Sequence, residues 1–182
     1  MKKVFAIILL SATGLGFSGI AHAASTEAKA AYKQAGESAD ADYKVAREKC
    51  NSLADNAKDV CVEEASAARV HAKSDAEAKY KNTEKARASA RKANADADYS
   101  VAKAKCGSLA GNAKDVCIKE AKAVMVSAKA DAQQHKEVVQ AKADARDDKR
   151  DANYKVALEK CDALAGAAKD TCVASAKSQY GK

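Results

Sequence analysis

Apolar and polar residues alternate along this chain with a helical rhythm. Tyr43, Ala46, Cys50 and Leu53 follow one another at steps of three and four. The series returns as Tyr99, Ala102, Cys106 and Leu109, and again as Tyr154, Ala157, Cys161 and Leu164. Such steps draw one apolar seam along a helix, with the average period of a coiled coil. A second seam, Ala113, Cys117, Ala121, Val124 and Ala128, marks an arm that runs back. The cysteines thus fall on the buried faces of both arms.

The seams belong to a threefold internal repeat. DYKVAREKCNSLADNAKDVCVEEA begins at Asp42, DYSVAKAKCGSLAGNAKDVCIKEA at Asp98 and NYKVALEKCDALAGAAKDTCVASA at Asn153. The first two copies stay similar through VHAKSDA at Val70 and VSAKADA at Val126. Between paired cysteines the sequence reads as a tight turn. Gly111 suits the left-handed conformation that ends a helix. Asn112 suits the N-cap of the next helix, with Asp115 completing a capping box. Cys106 and Cys117 lie nearly equidistant from this tip and face each other across a hairpin. An unbroken helix would hold them about 16 Å apart, too far for a bond. The expected disulfides are Cys50–Cys61, Cys106–Cys117 and Cys161–Cys172, closing tips at 50–61, 106–117 and 161–172. Free buried thiols and pairing across repeats are the alternatives. Two tips depart from the pattern: Asp55 stands where the others have Gly, and Ala167 where the others have Asn.

Pro is absent throughout, and Gly is absent from 57 to 106. Helices are predicted near 25–54, 57–110, 112–165 and 167–180. Two central helices of equal length, folded back to back, would bring the first and third tips to one end. The second tip would lie at the other. The fold class is all-α: elongated antiparallel helical hairpins, an Ala-rich coiled coil with three disulfide-closed tips. The competing arrangement joins three small hairpins through weak joints at 34–42, 91–98 and 142–151. There Asp, Asn, Gly and stacked like charges disfavour helix.

The N-terminus adds a compartment. Lys2 and Lys3 precede the apolar stretch Val4 to Phe17, and Ala21-His22-Ala23 is a small-x-small cleavage site. Residues 1–23 read as a signal peptide and 24–182 as one helical repeat domain. The apolar stretch is short of the roughly 20 residues a membrane span needs. Export lets disulfides persist. No Cys near the cleavage site points to a lipid anchor.

Composition sets the thickness of the core. Trp is absent, and both Phe residues, Phe5 and Phe17, sit in the signal. Ala supplies the helix propensity. Each buried Ala methyl contributes about 0.8 kcal/mol, against roughly 1.5–3 for Leu or Val. Slim, closely packed helices follow. The net charge of +7 includes Lys2 and Lys3. It fits weak attraction to anionic envelope polymers. Acids interspersed throughout set the chain apart from nucleic-acid binders.

No catalytic residue and no cofactor site is expected. His71 and His135 do not correspond between repeats and read as polar-face residues. A tetrathiolate zinc site from Cys50, Cys61, Cys161 and Cys172 is conceivable at a four-helix end. The usual short Cys pairs of zinc sites are missing, however. Tyr43, Tyr99 and Tyr154 read as seam residues filling space beside Ala, with a binding platform as the functional alternative.

The tandem motif Y-[KS]-V-A-x-x-K-C-x-[SA]-L-A-x-x-A-K-D-x-C resembles a group of uncharacterised, secreted, Ala/Lys-rich helical proteins of Gram-negative bacteria. They often carry the label TolA-like or cell envelope biogenesis protein. The resemblance covers nearly all of the mature chain and implies a periplasmic location. The expected function is that of a non-enzymatic structural or interaction protein of the cell envelope. A holdase-type chaperone is the first alternative, and a nucleic-acid or anionic-polymer binder the second. Envelope proteins, anionic envelope polymers or further copies of the chain are the candidate partners.

Overall fold

The computed structural model describes residues 20–182, with side chains from residue 26 onward. The expected signal peptide therefore lies outside the described residues, except for its last four, which begin the first helix. Five helices follow in order: α1 (Ile20–Lys49), α2 (Asp55–Lys81), α3 (Glu84–Lys105), α4 (Gly111–Asp162) and α5 (Gly166–Tyr180). Each packs against its neighbours in the chain. The described residues are all-α, with no strand among them. None of these helices is long and apolar enough to cross a membrane.

The helix expected over 57–110 is broken in the middle. Asn82 adopts a left-handed conformation (φ 46°) and its N–H reaches the carbonyl of Ala78, closing α2. Thr83 is extended and its Oγ1 accepts from the N–H of Ala86, capping α3. Arg87 Nη1 donates to Asn82 Oδ1 at 2.9 Å across the turn. Asn tolerates left-handed geometry better than most residues, and Thr satisfies a free helical N–H. Together they form a fourth, disulfide-free hairpin turn. The weak joints expected at 34–42, 91–98 and 142–151 are instead continuous helix.

This break reverses the expected topology. Because α2 and α3 pair side by side, the first and second tips share one end of the molecule. The 52-residue α4 spans about 78 Å and carries the third tip to the other. Beyond α3's reach and before α5's cover, residues 141–150 are exposed apart from half-buried Ala143. Local pairs help this bridge: Gln140 Nε2 donates to Asp144 at 2.8 Å, and Arg150 lies 3.1 Å from Asp147. Helices polar all round occur where a rod bridges two packed units.

The core is as thin as the composition implies. Every fully buried residue among those described is Ala or Cys. Cys50, Cys106 and Cys161 are the bulkiest side chains completely withdrawn from solvent. The predicted seams need two corrections. Leu53, Leu109 and Leu164 are 41–44% exposed, because the chain leaves the α-helix before it reaches them. On α4, Val124 is 70% exposed. The covered positions there run Cys117, Ala121, Met125, Lys129 and Ala132. Their repeated step of four leaves heptad register after Ala121, so Met125 takes the inward place given to Val124.

Candidate interaction surface

The three tips share one backbone geometry. The paired cysteines hold their Cα atoms 5.6, 5.8 and 5.6 Å apart in Cys50–Cys61, Cys106–Cys117 and Cys161–Cys172. In each tip the Leu N–H donates back to the carbonyl of the first Cys, at 3.0–3.1 Å. Ala54, Ala110 and Ala165 are extended. Asp55, Gly111 and Gly166 then turn left-handed, at φ 48°, 54° and 56°. Gly takes this conformation freely, whereas Asp55 does so at a cost of about 1 kcal/mol. The large apolar residues left exposed next to each first cysteine are the leucines Leu53, Leu109 and Leu164. No side chain caps α2, α4 or α5. The N-cap and capping box expected of Asn112 and Asp115 are thus not formed, and Ala167 forfeits nothing at the third tip. The reason is that Gly111 already lies inside the first helical turn, leaving Asn112 past the capping position.

A second clasp recurs behind each disulfide. Lys73 Nζ bonds both carboxylate oxygens of Asp40 at 3.1 Å. One repeat later, Lys129 Nζ bonds Asp96 at 2.8 and 2.9 Å. At the third hairpin, Lys182 Nζ lies 2.6 Å from Asp151. Hydrogen bonding to Lys73 holds the Asp40 carboxyl below its usual range, partly offset by desolvation and reinforced by Arg69. Lys182 depresses Asp151 in the same way. The signal was present in the sequence as Asp three residues before each repeated Tyr. It was hidden because its lysine partners lie on or just beyond the returning helix, more than 30 residues away.

The repeated tyrosines are all half-buried, and the same position on the returning arm faces each of them. Arg69 sits over the Tyr43 ring, 5.1 Å from its centroid. Tyr180 lies 6.1 Å from Tyr154. At the middle hairpin the equivalent Met125 and Tyr99 line an apolar groove of about 230 Å³ with Ala102, Ala121 and Val124. The tyrosines therefore act as spacers within the hairpins, the seam role expected of them.

Polar contacts join the first hairpin to the second. Lys105 Nζ lies 2.8 Å from Glu64, and Ser74 Oγ donates to Asn94 at 2.6 Å. Asn94 Nδ2 donates to Asp75 at 3.1 Å. A Cβ at Gly107 would collide with the Asn56 amide, so the two tips touch. His135 is exposed as expected and His71 is half-buried, and both bridge helices. His71 Nε2 lies 3.0 Å from Asp98 without hydrogen-bond alignment. His135 Nδ1 accepts from Arg91 at 3.2 Å and lies 3.7 Å from Glu84.

The four cysteines considered for zinc are bonded in pairs at opposite ends of α4, which overturns that site. Among the described residues, no three His, Cys, Asp or Glu side chains stand where they could share a metal ion. No protein-family model, curated protein or solved structure matches the chain.

Proposed function

We propose that the chain is a non-enzymatic structural or interaction protein of the periplasm. In this reading it is a rod that holds disulfide-closed tips at a set separation. One observation carries the proposal: a single helix about 78 Å long links a four-helix end to a two-helix end through a charged, nearly bare stretch. Such a bridge has no packing role of its own and is suited to keeping two surfaces apart. The likeness to secreted envelope proteins and the persistence of three disulfides both favour an oxidising, exported setting. The test is capture from envelope extracts on the immobilised mature chain under non-reducing conditions. Saturable retention of an envelope protein or polymer supports the reading. Turnover of any envelope substrate by the purified chain would sink it.

A holdase-type chaperone is the second reading, favoured by the exposed Leu53, Leu109 and Leu164 at the tips and Val124 and Val126 on α4. It requires the chain to suppress aggregation of an unfolded outer-membrane protein. Replacing the three tip leucines by Ser would have to abolish that effect.

A further inference from the structure

The contact between the first two hairpins is a template for a contact between molecules. On one side stands α2, the returning arm of the first repeat, offering Asn56, Glu64, Ala67 and Asp75. On the other stands α3, the outgoing arm of the second repeat, offering Asn94, Val101 and Lys105, with Gly107 just past its end. Glu64, Ala67, Val101 and Lys105 meet at one shallow hollow, with the Lys105–Glu64 ion pair across it.

Both sides of this contact occur again in the chain, uncovered. Counting one repeat onward from α2, α4 carries Asn112, Glu120, Ala123 and Asp131, all exposed. Counting one repeat back from α3, α1 carries Ser38, Val45 and Lys49, with Asn51 just past its end, all exposed. Val45 is 58% exposed, whereas Val101, its equivalent within the contact, is half-buried. The chain thus ends its row of helices with one half of the contact on each flank. The charges are complementary: Lys49 on one flank and Glu120 on the other reproduce Lys105 and Glu64.

We infer that a second copy of the chain docks its α1 on the outer face of α4, antiparallel, in the register of α3 on α2. Lys49 of one copy then pairs with Glu120 of the next, and Val45 rests on Ala123. Ser38 hydrogen-bonds Asp131 where Asn94 bonds Asp75. The contact changes at four further positions: Gln34 and Gln134 replace the buried Ala90 and Ala78, Ala130 replaces Ser74, and Asn51 replaces Gly107. Both glutamines are long, exposed side chains that can turn aside to solvent. The group opposing Asn51 is the end of a rotatable Asn112 side chain, and two amides can pair as donor and acceptor. In this register the N-terminal part of α1 lies beside the bare 141–150 stretch of α4. The contact is head-to-tail and leaves both flanks free at the ends, so it builds open chains rather than closed dimers.

This inference deepens the structural reading above. The test is sedimentation velocity of the oxidised mature chain from micromolar to millimolar concentration. Growth of the sedimentation coefficient with concentration is expected. K49E and E120K should each weaken association about tenfold, since each turns an attraction into a like-charge contact. The double variant K49E/E120K should restore it. A123R should abolish it, while K160E, at the equivalent position of the third repeat, should leave it unchanged. Helicity and melting of every variant should match the parent. A monomer at all concentrations, a double variant that fails to recover, or sensitivity to K160E in place of K49E would overturn the inference. None of those results bears on capture of a different envelope partner, so the two readings fail separately.

Discussion

Breaking the third disulfide should release α5 from the rod. The α5 helix has 15 residues, and a helix of that length is marginal alone in water. Its tertiary cover is slight: Ala176 is buried, and Cys172, Val173 and Tyr180 are only half-covered. Tyr180 meets Tyr154 at a tilt rather than stacked, and the clasp on Asp151 has one cation, Lys182, where Asp40 has two. The cysteines are 11 positions apart. Closing a loop of that size is worth about 2.8 kcal/mol in the chain-entropy model. That corresponds to about a hundredfold in the closed-to-open ratio of the hairpin. In C161A/C172A, amide hydrogen exchange across α5 should therefore accelerate about a hundredfold, leaving little residual protection. The matched variant C50A/C61A should behave differently. There α1 keeps the Asp40 clasp with Lys73 and Arg69 and buried Ala39. It also keeps the Tyr32–Tyr80 stack at 5.0 Å. Measurable protection in α1 should survive. Unchanged exchange in α5, or equal residual protection in α1 and α5, would refute the claim that the staple replaces a missing core.

Three further outcomes follow. Gly36 sits inside α1 with no atom within 4 Å of the place a Cβ would occupy, so Gly36→Ala should stabilise by about 0.5–1 kcal/mol, read as a higher thermal midpoint. Thr83→Ala should cost about 1 kcal/mol in urea unfolding, whereas Asn112→Ala should stay within about 0.5, because only Thr83 caps a helix. Asp40 and Asp151 have depressed folded-state pKa values, below the ordinary 3.8. Their clasps contribute fully above that value and are lost as pH falls through the lower folded value. Carboxyl NMR should place both midpoints under 3.8, and Asp40→Asn should flatten the acid limb of the stability profile of the first hairpin.

Much of the local structure was legible in the sequence. Tip positions, cysteine pairing and left-handed glycines depend on contacts within about a dozen residues, and each belongs to a repeated pattern. The core of Ala and Cys followed from composition, since few larger residues were available to bury. The Lys–Asp clasps were less visible. Each joins residues about 33 positions apart, and only the register of the two arms brings them together. The Asn82–Thr83 turn was encoded but easily missed. It carries neither Gly nor Pro, and a left-handed Asn followed by a Thr cap resembles an ordinary polar pair inside a helix.

The sequence by itself thus determined that the chain is helical, repeated and stapled, because propensity, turn chemistry and disulfide reach are short-range. Only the tertiary structure decided which tips lie together. That choice turns on a single two-residue break, whose effect is to pair α2 with α3 and leave α4 unbroken. It also decided which faces of α1 and α4 stay bare. Whether a face of small and charged residues is covered depends on which helices remain beside it, and no local pattern carries that information.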